Sequence, residues 1–102
     1  MSDTVLLTLV CPKPLEEQVT SLLLEHPEVV AGFSTNEGDG HGSGAPLYDP
    51  GEHVRGRARR VRVQMILPHA QVEQVLALMR SEFGAIGLYY WVVPVLMSGR
   101  IE

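Results

Sequence analysis

Six residues with metal-ligand or proton-transfer chemistry, Glu37, Asp39, His41, Asp49, Glu52 and His53, fall in one glycine-rich stretch of the chain. Histidine nitrogens with carboxylate oxygens suit zinc, nickel or copper(II), and neighbouring glycines let backbone fold around an ion. No C-x-x-C or H-x-x-x-H spacing accompanies them, so the pattern fits a solvated connection as well as a divalent-metal site. In the metal reading His41 and His53 are the ligands.

An arginine run overlaps the end of this stretch. Arg55, Arg57, Arg59, Arg60 and Arg62 make up five of the eight Lys and Arg residues in a chain of net charge −4. Such clustering focuses field on an anion such as phosphate, carboxylate or bicarbonate. A charged sheet edge making salt bridges between subunits accounts for it equally. Gly40-His41-Gly42 offers either a backbone nest with an imidazole beside it or a plain turn. The glycines at 38, 40, 42 and 44 alternate with no lysine after them, which excludes a P-loop and a dinucleotide fingerprint.

Other chemistry is thinner. Cys11, the one cysteine of the chain, reads as a buried structural thiol, rules out an internal disulfide and fits a reduced compartment. No Ser-His-Asp, Cys-His or paired-carboxylate spacing supports an enzyme. Acidic balance and the absence of an aromatic RNP-type strand speak against nucleic acid. Apolar runs fall short of the roughly 18 residues of a membrane span. The start, MSDT, carries an acid where a secretory signal has basic residues, so a cytoplasmic location is expected.

The elements that position these residues follow from periodicity. Thr4–Cys11, TVLLTLVC, reads as a strand that is apolar on both faces. Pro14 opens a helix with Leu15, Val19, Leu22 and Leu23 on one side and Glu16 and Glu17 in its first turn; Pro27 ends it. A second strand is expected from Val29 to about Thr35, then a long connection over about residues 36–57. A third strand, about Ala58 to Leu67, alternates Val61, Val63, Met65 and Leu67 with Arg60, Arg62 and Gln64, which places Arg60 and Arg62 on the sheet face away from the helices. Pro68 starts a second helix with the stripe Val72, Val75, Leu76, Met79 and Phe83, closed by Gly84. Leu88–Val93 is the last strand, and the tail from Val95 is expected to add a short extra one.

The order β-α-β-β-α-β predicts an α+β, ferredoxin-like domain over 1–102: a four-stranded antiparallel sheet with two helices on one face. The other face then needs a cover, and a further copy of the chain supplies it most economically.

With Val30-x-Gly32-Phe33 ahead of a long connection and an alternating basic strand, the chain resembles the PII-like signalling proteins over nearly its full length. The resemblance implies a homotrimer with a small ligand, an adenine nucleotide included, bound between subunits, and a T-loop that touches a regulated partner. It points to Gly32, Phe33, Gly40, His41, Gly42, Arg57, Arg59, Arg60 and Arg100 as ligand contacts. Leu47-Tyr48 is similar to the pair that carries a modifiable tyrosine in some members. Phe83–Leu88 departs from the classical pattern, because it is short and has no lysine to hold ATP phosphates. Gly40-His41-Gly42, Val54 to Val61, Tyr90 to Val95 and Gly99 to Ile101 are similar to a branch often encoded beside heavy-metal efflux pumps of the resistance-nodulation-division type. That likeness implies a membrane transporter, or its regulator, as partner.

Overall fold

Alternation along Arg57–Pro68 decides how the sheet is built, because every second side chain there is apolar and buried: Val61, Val63, Met65 and Leu67. The computed structural model describes residues 3–41 and 57–102. Its elements in chain order are β1 (Thr4–Pro12), α1 (Glu16–Leu24), β2 (Ser34–His41), β3 (Arg57–Pro68), α2 (Val72–Phe83) and β4 (Tyr89–Pro94). The sheet runs β2-β3-β1-β4, antiparallel throughout, with both helices on one face. This is the ferredoxin-like arrangement expected from the element order.

Each strand hands over to its helix in the same way. Pro12 and Pro68 end β1 and β3 in extended geometry, and one turn of 3-10 helix follows, Lys13–Leu15 and His69–Gln71. Pro14 sits in the first of these turns, where its missing N–H costs nothing. Helix α2 therefore begins at Val72, a turn later than Pro68, because proline disfavours helical backbone in the residue before it and here closes the strand.

Between sheet and helices lies the core. Leu7, Leu9 and Cys11 of β1 and Val61, Val63 and Met65 of β3 meet Val19 and Leu23 of α1 and the whole expected stripe of α2. Leu15 and Leu22 are only partly buried at its margin.

Two expectations need correction, the bounds of β2 and the strand in the tail. Strand β2 does not start at Val29. Residues Pro27–Val29 form a turn in which Val29 N and Val30 N both donate to His26 O at 3.0 Å, and Val30 is buried beneath it. The apolar pair seats that turn on the core, while the polar, glycine-bearing Ser34–His41 pairs with β3 from Ser34↔Gln64 to His41↔Arg57. A ladder of backbone hydrogen bonds asks little of its side chains at a sheet edge. Consequently the two strands run into the expected 36–57 connection from both sides; residues 42–56, with Gly42, Tyr48, Asp49, Glu52, His53 and Arg55, lie outside the described residues.

Gly84 is the C-cap of α2, but with right-handed backbone; the left-handed turn belongs to Gly87, at φ 76. Finally, the tail forms no strand. Val95 N donates to Thr4 O at 3.1 Å, and beyond it Leu96, Met97 and Ile101 are almost fully exposed, so nothing in the chain offsets the entropy of fixing it.

The core assignment has a direct test. Leu7→Ala, at a position with 0% exposure, is expected to lower stability by about 2–5 kcal/mol in urea unfolding at fixed protein concentration. Leu24→Ala, on the outer side of α1, should change it by less than about 0.5 kcal/mol.

Candidate functional site

Antiparallel pairing carries the arginines of β3 past the residues of β2 in fixed register: Asn36↔Arg62, Glu37↔Val61, Gly38↔Arg60 and Asp39↔Arg59. Since successive side chains of a strand point to opposite faces, the basic residues divide into two groups. Arg59 shares the helix side with buried Val61 and Val63. Arg60 and Arg62 lie on the open face with Gln64 and Ile66, as the alternation predicts.

On the helix side, Glu37 is gripped by two cations from different elements. Arg59 Nη2 donates to Glu37 Oε1 at 3.0 Å, and Lys13 Nζ, from the turn before α1, lies 3.3 Å from Glu37 Oε2. Lys13 also bonds Glu16, the first residue of α1. Arg59 first and Lys13 second hold the Glu37 carboxyl below its ordinary range, while the Glu16 hydrogen bond and then Glu37 raise the Lys13 ammonium above its own. Lys13 and Glu16 escaped the sequence reading. Their signal was present as an i, i+3 pair flanking Pro14, but nothing local tied it to a strand twenty residues on.

On the open face, Arg60 is buried, at 7% exposure, beside Pro12, and its Nη1 donates to Arg59 O at 3.2 Å. Replacing it removes packing as well as charge, which makes Arg59 and Arg62 the cleaner probes of anion binding. Arg62 Nη2 stands 3.1 Å from where a Cβ on Gly38 would lie, so that glycine lets the guanidinium settle against β2.

The remaining expected ligand residues are spread out within one chain. Gly32 and Phe33 precede β2 beside a shallow cavity of about 220 Å³ lined by Leu23, Leu24, Pro27 and Val30. Gly40 and His41 end β2, paired in register with Ala58 and Arg57. The two groups are a strand length apart, roughly 23 Å at about 3.3 Å per residue. Arg100 follows β4, at the opposite edge of the sheet. Gly42 and His53 lie outside the described residues, and among the described ones no three His, Cys, Asp or Glu side chains are grouped to hold a metal. Burial pushes the Cys11 thiol up to about 11, with Glu16 adding and Arg60 and Lys13 opposing. A thiol so placed is a poor nucleophile and metal ligand.

Among the described residues no helix is long and apolar enough to cross a membrane. The chain belongs to the family described as protein of unknown function (DUF3240), whose model matches residues 1–102. No curated protein matches the sequence. A DUF3240 family protein from Shewanella baltica OS155 superposes with a TM-score of 0.80 at 20% identity, covering 100% of both chains. CPII, a nitrogen regulatory PII-like protein from Thiomonas intermedia K12 bound to ADP, AMP and bicarbonate, gives 0.70 at 17% identity over 96% of each chain. CutA from Synechococcus elongatus PCC7942, complexed with Bis-Tris, gives 0.73 at 15% identity, over 97% of this chain and 86% of its own. At these identities the likeness is one of fold.

The grip on Glu37 has a defined pH window. The Glu37 contacts are fully present above the ordinary carboxyl value of 4.5 and are lost as pH falls through the depressed one. The Lys13 contacts persist below 10.5 and are lost as pH rises through the raised value. Followed by carbon NMR of its side-chain carboxyl, Glu37 is expected to titrate below 4.5, and Lys13→Ala or Arg59→Ala to move it back up. A midpoint indifferent to both substitutions would mean that the carboxylate is not held.

Proposed function

We propose that this DUF3240 chain is a PII-like homotrimeric regulatory protein that binds a small anionic ligand at the clefts between subunits. In this reading residues 42–56, which join β2 to β3, act as the T-loop and carry the signal to a partner. The observation that carries it is the concentration of cationic groups at the β2–β3 ribbon of a chain with net charge −4. Likeness of fold to CPII, itself bound to nucleotides and bicarbonate, supports the ligand class.

The uncovered sheet face supports the assembly. Ile66, Tyr89, Trp91 and Val93 stand there between 41% and 52% exposed, an apolar surface that a monomer would have to keep in water. Packing the faces of three copies together buries them. It also resolves the spread of the expected ligand residues: Gly32 and Phe33 of one subunit meet the arginine end of the ribbon only if a neighbour supplies the other half. With no lysine between Phe83 and Leu88, the charge for phosphate or bicarbonate falls to Lys13, Arg57, Arg59 and Arg62, with Arg100 reaching in from a neighbouring tail. The likeness to the efflux-associated branch adds a membrane transporter or its regulator as the partner, in the cytoplasm.

Two measurements test this. In a thermal-shift screen, adenine nucleotides or bicarbonate are expected to raise Tm, since a ligand of the native state stabilises by mass action. A rise with zinc, nickel or cobalt alone would instead favour a metal buffer using His41 and His53, and no rise with any of them removes the small-ligand reading. Separately, Ile66→Asp and Trp91→Glu are each expected to bring the mass in light scattering down from three chains to one. Trimers that survive both changes would place the interface elsewhere.

A further inference from the structure

Glu37 is bound as a ligand would be. Its two carboxylate oxygens are divided between two cations, Oε1 taking Arg59 Nη2 at 3.0 Å and Oε2 facing Lys13 Nζ at 3.3 Å. The cations come from β3 and from the turn before α1, and the carboxylate comes from a third element, β2. Convergence of this kind defines a seat with the width and planarity of a carboxylate. Lys13 is shared with Glu16, the first residue of α1, at 2.5 Å, so one carboxylate stays beside the seat when Glu37 leaves it.

Nothing in the fold requires this carboxylate to be there. Glu37 is half-exposed, with 50% of its side chain open to water, and it rides on an edge strand that pairs on one side only. Its backbone partner, Val61, is buried, so the β2–β3 ladder is anchored by the core and not by the ion pairs. The side chain can therefore swing away while the ladder stays intact. Pairs this exposed are weak in water, and an external anion of the same shape competes with them on nearly equal terms.

We propose that Glu37 is an internal stand-in occupying a planar-oxyanion site, and that a carboxylate or bicarbonate ligand binds Lys13 and Arg59 by displacing it. The inference rests on the anion-binding reading above and specifies its site. Displacement leaves Glu37 unpaired on the strand that leads into residues 42–56, and this couples occupancy of the seat to that segment. The internal carboxylate reduces apparent affinity by the fraction of molecules in which it fills the seat.

Titration of the full chain with sodium acetate and sodium bicarbonate, at constant ionic strength in chloride, tests this by nitrogen–proton NMR of the backbone and of the Arg59 side chain. Glu37→Gln is expected to tighten binding by about three- to tenfold, because it removes the competitor and leaves both cations. Lys13→Met and Arg59→Met should each weaken it by at least about fivefold. Glu82→Gln, which removes the same charge from the exposed side of α2, should leave it unchanged. If wild type and Glu37→Gln bind alike, displacement is wrong even though an anion binds. If Glu82→Gln tightens binding as much as Glu37→Gln, the effect is net charge and the site is wrong. Preference for inorganic phosphate at the same signals overturns the planar class, and binding of no anion by any variant overturns this inference and the anion reading together.

Discussion

Strand β1 is the constraint on which the rest of the molecule depends. It lies between β3 and β4, so both its backbone edges are paired, and both its faces are apolar. Leu7, Leu9 and Cys11 are satisfied by two helices. Leu6 and Val10 on the other face remain partly exposed, and Thr8 is fully buried only because Gln64 and Trp91 flank it in register, with Gln64 Nε2 donating to its hydroxyl at 3.4 Å. A chain with two helices can cover one face of such a sheet. Among the described residues nothing covers the second apolar face, and that face is made by the central strand, not by a decoration at the rim.

Charge is arranged around the same axis. Four acids of the described chain, Glu16, Glu17, Glu73 and Glu82, sit on the helices, while the arginines of β3 line the sheet near its β2 edge. Between these lies the chain Glu16–Lys13–Glu37–Arg59, which alternates sign as it steps from helix to edge strand. No member is deeply buried, so none bears a large desolvation cost, and the contacts add little to folding. Their effect is positional: they decide where the polar end of β2 rests.

How much of this could be read from the chain follows from what each element packs against. The apolar stripe of α2 was legible to the residue, since Val72, Val75, Leu76, Met79 and Phe83 all face the core and period alone reports that, although the helix begins a turn later than Pro68. The alternation of β3 was equally plain, and with it the division of Arg60 and Arg62 from the buried valines. Strand β2 was misplaced because its pairing is carried by backbone bonds, while the β-branched residues that looked like a strand, Val29 and Val30, close a buried turn. Gly38 and Gly40 read as loop and lie in a ladder. What Arg59 meets was not visible until the register was known, and Lys13 gave no hint that it would meet Glu37, because that meeting depends on where an edge strand runs.

The placement of β2 also sets how the two strands of the ribbon are held. Of its side chains, Ser34, Thr35, Asn36 and Glu37 are all exposed, so this half of the strand contributes no side chain to the core and is held by its hydrogen bonds to β3 and by the Glu37 contacts. Strand β3 in turn is fixed by Val61, Val63 and Met65, none of which can shift without opening a cavity. One partner of the ribbon is therefore rigid, and the other is tied to it by its backbone and by the Glu37–Arg59 contact. The Glu37 contacts therefore sit where the edge strand meets the anchored one, in register with buried Val61.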